Sequence, residues 1–419
     1  MRNVFDQYNH PENRLTHGLM SSLAADPALL RRFIQWATGE RAPTGQLRVL
    51  EQTLPGEEES TDEEDAERKG LPDGWIHDGA TWSLVIESKI QAPLDPDQLQ
   101  RHRRTAEGRG FTDLHILALV AEQPHHACVK SVTLKKWTEL YTWLLMERRS
   151  EWARHFVAYM EVLEARLIRD EYLREGMLTV FAGIQFGKDN PYNYFAAKRV
   201  LRLAMDELRQ RNDLKQKLGM DPDLKGRPAI TGRDSTRIWD FLRLEPSKGA
   251  ANFTEFPHLT LSIQQEQLFV IVTVPHGIRG EFRKNLLVGG RQGFCSIFEA
   301  ILNNFSDSLG SVEGIAPWIE IIQRRYPSQR AEPIIDARLQ FDLRTGFKES
   351  DRWRTNVKEQ PQWLGAAYDA LSKKNSNLQL GVGAIFRYEK CPAVHTPEIV
   401  DYIAAAWLAC KPLIQAMIV

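Results

Sequence analysis

Several features that usually guide a functional reading are scarce in this chain. Among its 419 residues there are four cysteines, Cys128, Cys295, Cys391 and Cys410. They stand far apart, without the paired spacing of a zinc site, so free thiols in a reducing compartment are expected. No apolar run is long enough to span a bilayer. The most apolar part of the tail, Ile403 to Val419, is interrupted by Lys411 and Pro412. Met1 to Tyr8 is polar and lacks the apolar core of a signal peptide. A cytoplasmic protein with no membrane contact is the expectation. Excess charge is missing too: 54 basic side chains meet 55 acidic ones, for a formal net charge of −1. That excludes coating of nucleic acid by bulk electrostatics, so any anion-binding face must be local. No internal repeat is evident.

Three stretches resemble sites but lack the required chemistry. His125-His126-x-Cys128 has no second ligand pair nearby in sequence, and adjacent histidines on extended chain point to different faces, so it reads as a loop. Gly183-Ile-Gln-Phe-Gly187-Lys188 has three residues between its glycines where a phosphate loop needs four, and Asp189 stands where Ser or Thr should follow the lysine. Glu57 to Asp65 is a block of like charge without apolar residues. It reads as a solvated loop, with none of the Gly-punctuated spacing of a calcium site.

What the chain does have is ordinary globular composition, 42% hydrophobic and 26% charged, over a length that suits two or three domains. Asn9 to Leu19 opens a helix with Pro11 at its first position, and Glu12, Leu15, Leu19 and Leu23 recur on one face. A second amphipathic helix covers residues 27 to 41, and Gln46 to Leu54 reads as a first strand. Leu71 to Lys89 then reads as a hairpin. Trp75 and Ile76 lie in its first arm and Ser83 to Lys89 in its second, with His77-Asp78-Gly79-Ala80 supplying turn chemistry. A helix starts at Asp95-Pro96, followed by a buried strand at Leu114 to Ala121 and helices at Leu134 to Met146 and Glu151 to Ile168.

The hairpin carries the chemistry. Glu87 and Lys89, two positions apart, share one face of the strand, and Asp73 adds a carboxylate at the start of the partner arm. Two carboxylates can hold a hard cation such as Mg²⁺ or Mn²⁺. An adjacent ammonium can stabilise charge on a phosphate or help deprotonate an attacking water. The arrangement makes a geometric demand. A two-residue turn at Asp78-Gly79 would set Asp73 opposite Leu84, on the wrong face, whereas an odd-length loop or a bulge brings it beside Glu87 and Lys89.

Pro72-Asp73 followed by Glu87-Ser88-Lys89 resembles the PD-(D/E)XK nuclease superfamily. The run Glu12-Asn13-Arg14-Leu15-Thr16 is similar to members associated with phage defence. The resemblance implies a restriction-endonuclease-like α/β core, a mixed sheet of about four strands flanked by helices. It implies Mg²⁺-dependent hydrolysis of nucleic-acid phosphodiesters, DNA before RNA and endonucleolytic. Asp73 and Glu87 would be metal ligands and Lys89 the phosphate-facing group. Glu12 would enter the site from the N-terminal helix. Many members place a Gln-x-x-x-Tyr pair on the helix after the second motif. Here Gln98 matches and His102 stands in place of the tyrosine. Arg101, Arg103, Arg104 and Arg109 on or just beyond that helix are the expected phosphate contacts.

The resemblance covers well under half the chain. Residues 1–173 are expected to form the nuclease-like domain and 174–419 an α+β domain for recognition or sensing. In the second, Met177 to Phe186 reads as a strand, Asn193 to Leu214 as a helix, and Phe256 to Ile263 with Gln267 to Val274 as a hairpin. Further strands are expected at Pro333 to Leu343 and Leu378 to Tyr388, and helices at Phe294 to Phe305, Trp363 to Lys373 and Pro397 to Met417. Such nuclease cores often pair to cut two strands, which makes a homodimer, or a defence-system partner protein, a natural complement. The rival reading is a catalytically silent sensor module that binds nucleic acid or a partner on a nuclease-like core.

Overall fold

In the computed structural model the described residues are 10–418, except 54, 56–70, 123–130, 148, 175, 189, 224–235, 246–254, 276–279, 326, 328–333, 348–356 and 374–377. The acidic block at 57–65 and the His125–Cys128 stretch lie outside them. The chain divides into two compact units, Met1–Val180 and Phe181–Val419. Among the described residues the first holds a mixed five-stranded sheet, the second an antiparallel six-stranded sheet, and twelve α-helices are distributed between them.

The first unit opens with α1 (Pro11–Ala25) and α2 (Pro27–Thr38). Asp26 separates them and caps the second, its Oδ1 accepting from the amides of Ala28 at 3.0 Å and Leu29 at 2.9 Å. Leu15, Leu19 and Leu23 form the buried stripe of α1; each contributes about 1.5–3 kcal/mol by leaving water. Next come β1 (Arg48–Glu51), β2 (Gly74–His77), β3 (Trp82–Lys89), α3 (Pro96–Gly108), β4 (Asp113–Val120), β5 (Thr133–Lys136), α4 (Trp137–Met146) and α5 (Glu151–Arg169). Sheet order follows chain order. β1, β2 and β3 are antiparallel, while β3, β4 and β5 are parallel. Helix α3 makes the crossover between β3 and β4 and packs Leu99 and Ala106 against Trp75, Val85 and Ile116. Helix α1 covers the opposite face. A Cβ on Gly74 would come within 2.7 Å of Met20 Sδ, so glycine there lets α1 close on the sheet.

The first unit runs to Val180. Buried Glu164 on α5 holds the segment before that point, its Oε1 accepting from the amides of Leu178 at 2.9 Å and Thr179 at 3.1 Å. The expected strand at Met177 to Phe186 is not a strand: Met177 and Leu178 are bends and Gly183 takes a φ of +86°.

The second unit contains α6 (Tyr194–Arg209), α7 (Asn212–Leu218), β6 (Arg237–Arg243), β7 (His258–Gln264), β8 (Gln267–Val274), α8 (Gly280–Leu287), α9 (Gly290–Leu309), β9 (Ile315–Arg325), β10 (Ile334–Asp342), α10 (Gln362–Ser372), β11 (Leu378–Arg387), α11 (Ile399–Ala409) and α12 (Lys411–Ile418). Its sheet runs β10-β9-β11-β8-β7-β6, all antiparallel, and the helices pack on one face to form the core. Two expected helices are each broken, at 210–211 and at Cys410. β9 escaped the sequence reading because Pro317 interrupts its alternation. Pro317 sits opposite Ala384 of β11 and just beyond Trp318, the last β9 residue paired with β10, where a missing N–H is tolerated. Cys295, Cys391 and Cys410 are unpaired thiols. No single described helix is long and apolar enough to cross a membrane; α11 and α12, bent by 43°, are mostly buried in this core.

Candidate active site at the end of the central strand

The hairpin register meets the demand that sequence placed on it. His77 pairs with Ser83 and Gly74 with Ile86, so five residues separate the last paired positions and the next step sets Asp73 opposite Glu87. Asp78 shapes the loop, its Oδ1 accepting from the amides of Ala80 at 2.8 Å and Trp82 at 3.1 Å. Asp73 is then tied across the hairpin, where its Oδ2 accepts from the Ser88 amide at 2.7 Å.

Around this pair the other groups converge. Glu87 is fully buried, and its Oε1 lies 2.6 Å from Lys89 Nζ, an ion pair without hydrogen-bond alignment. Its Oε2 lies 2.9 Å from Nε2 of His102, which is buried on α3. Glu12 arrives from the first turn of α1, and its Oε1 accepts from the amides of Ile90 at 2.7 Å and Gln91 at 3.2 Å, directly after Lys89. Burial first and the charge of Glu87 second raise the Asp73 carboxyl well above the usual carboxylate range; Lys89 and the Ser88 amide pull the other way without cancelling that rise, and Glu12 adds the smallest increase. Burial alone would lower the Lys89 ammonium, but Glu87, Asp73 and Glu12 together hold it above its ordinary value. The charges of three carboxylates thus act on one ammonium, with Glu87 in direct contact. Tyr172 stands near enough to Glu12 for that charge, added to burial, to raise its phenol.

The remaining sequence candidates fare differently. Gln98 is half-buried on α3, and none of the groups gathered at Glu87 is bonded to its side chain. Arg103 donates to Ser131 O at 3.2 Å and Arg109 donates to Pro55 O, so these two brace neighbouring chain, while Arg101 makes only an exposed ion pair with Asp95 at 3.7 Å. Arg104 is exposed. The partner that sequence reading undervalued is His102. Its signal was present, since Leu99, His102 and Ala106 form the buried stripe of α3, but which sheet residue that stripe meets depends on the packing of helix on strand.

As they stand among the described residues, no three His, Cys, Asp or Glu side chains are disposed to hold a metal ion. Lys89 and His102 engage both oxygens of Glu87, and backbone amides take one oxygen each of Asp73 and Glu12. The donor set nevertheless fits a hard divalent cation in kind. It consists of carboxylate oxygens, it carries more negative than positive charge, and Mg²⁺ needs only one or two carboxylates because it keeps several of its waters. Comparison with protein-family models and with curated proteins finds no match for this chain.

Proposed function

We propose that the first unit is a nuclease core of the PD-(D/E)XK type that hydrolyses nucleic-acid phosphodiester bonds, DNA before RNA, with Mg²⁺ or Mn²⁺. The observation that carries this reading is the convergence of Asp73, Glu87 and Lys89 at the end of β3, joined by Glu12 from α1. The topology agrees with it: an antiparallel hairpin feeds a central strand, and a helical crossover leads to a parallel neighbour.

Asp73 and Glu87 would hold the cation, which when bound supplies an activated water and neutralises phosphate charge. The protein's own contribution follows from its electrostatics. Lys89 is held protonated by three carboxylates, so of its two sequence-level roles the stabilisation of phosphate charge is the one its environment favours, not proton abstraction. Glu12 holds the chain just after Lys89 by its amides, which keeps the end of β3 in position. Asp73 takes up a proton more readily than an ordinary carboxyl, and a bound cation would reverse that by opposing its charge. Arg101 and Arg104, on the exposed side of α3, are the remaining phosphate contacts of this reading. The second unit would recognise substrate, partner or infection signal. The phage-defence setting and a cytoplasmic location rest on the resemblance at Glu12 to Thr16 and on sequence character.

Purified full chain incubated with supercoiled DNA, linear DNA and RNA, in Mg²⁺, Mn²⁺ or EDTA, tests the proposal beside Glu87→Ala and Lys89→Ala. Metal-dependent cutting lost in both variants is the expected result. Binding without cutting in every metal would replace it with the silent sensor module.

A further inference from the structure

His102 lies on the buried stripe of α3 and makes the most enclosed side-chain contact at the site. His102 is 1% exposed and Glu87 0%. A carboxylate oxygen only accepts, so Nε2 of His102 donates to Oε2 across 2.9 Å. The ring is set by packing, because Leu99 and Ala106 on the same stripe of α3 join Val85, which lies two positions before Glu87 on its face of β3. A glutamate has three side-chain torsions, and its two oxygens are chemically alike. One of them must be anchored if the other is to keep a single address.

We propose that His102 is a positioning residue for Glu87. By holding Oε2 it keeps Oε1 on the side of Lys89, where a divalent cation shared with Asp73 would be met. This rests on the nuclease reading and adds to it a group that touches neither substrate nor cation. Partners of this kind fix the orientation of a ligating side chain, and their loss typically weakens metal affinity or activity about 10–100-fold.

Two substitutions of similar volume separate anchoring from packing. His102→Gln retains a donor, and His102→Met fills the space without one. Mn²⁺ binding is measured calorimetrically on the full chain without nucleic acid, alongside thermal melting and the kcat and KM for DNA cleavage. The expected result is Mn²⁺ affinity about 10–100-fold weaker in His102→Met, kcat reduced in step, KM for DNA unchanged, and His102→Gln close to wild type. Equal Mn²⁺ affinity and equal kcat in the two variants would overturn the role of His102, whatever their melting temperatures. A wild-type chain that neither binds Mn²⁺ nor cuts nucleic acid would instead overturn the nuclease reading itself.

Discussion

Two glutamates of the first unit are buried to nearly the same degree and show opposite surroundings. Glu164 on α5 is met by donors from the segment that follows it: the amides of Leu178 and Thr179 on Oε1, and the Thr179 hydroxyl on Oε2. Its charge is spread over local hydrogen bonds, and the result is a tether. Glu87 on β3 faces another carboxylate across the hairpin and is balanced by an ammonium and an imidazole. After burial, its own charge does most to raise the proton affinity of its neighbour Asp73. Burial therefore does not separate structural from functional acids. What separates them is whether the surrounding groups quench the charge or leave a negative excess for something else to meet.

Substitutions at the two sites should part company accordingly. The largest effect is expected at the sheet end, where Lys89→Ala or Glu87→Gln should lower the cleavage rate about 10²–10³-fold, roughly 2.7–4 kcal/mol of transition-state stabilisation. Initial rates on linear DNA measure it, and wild-type rates in either variant would erase the contrast. Glu164→Ala should leave cleavage per folded molecule unchanged while destabilising the first unit by roughly 1–3 kcal/mol for each buried donor left unpaired. Urea unfolding reads that loss.

Asp73→Asn should show the reverse pairing, with activity lost and metal-free stability gained. The folded-state pKa of Asp73 lies above its unfolded value, so the unfolded chain releases that proton first as pH rises. This group's contribution is fully present below the ordinary carboxylate range and is lost as pH climbs through the raised value. Near neutral pH the asparagine variant should melt higher, by roughly 2–4 °C for each kcal/mol recovered, and Mn²⁺ should narrow the gap by stabilising only the wild type. A variant that melts below wild type without metal would remove the idea of a charge excess at Asp73. The smallest effect belongs to Arg101→Ala with Arg104→Ala, exposed side chains outside the cluster. DNA affinity should fall modestly, and the dependence of log K on log salt should lose about 0.9 per lost phosphate contact.

Much of this contrast could be anticipated at the hairpin. Strand alternation put Glu87 and Lys89 on one face, and face-matching required an odd loop, which the His77–Ser83 pairing supplies. The approach of Glu12 came from the family resemblance, because its contact with Ile90 and Gln91 spans 78 residues of chain and leaves no local trace. β5, β6 and β9 went unread for local reasons. β5 abuts a helix directly, β6 breaks its apolar row with the buried Asp240 between Ile238 and Leu242, and β9 carries a proline. The arginines of α3 were legible as basic residues. Their bonds to Asp95 and to the backbone of Ser131 and Pro55 were not, because they depend on where the neighbouring loops run.

By itself the sequence determined the periodicities: the leucine stripe of α1, the alternation of β3, the capped start of α3, and with them which side chains share a face. Those follow from backbone geometry, which repeats within a few residues. Only the tertiary structure decided that the buried stripe of α3 would bring an imidazole to Glu87, and that α1 would close over Gly74 and deliver Glu12 to the end of β3. Contacts between elements distant in the chain are chosen by packing of whole faces, and no local rule encodes which atoms then meet.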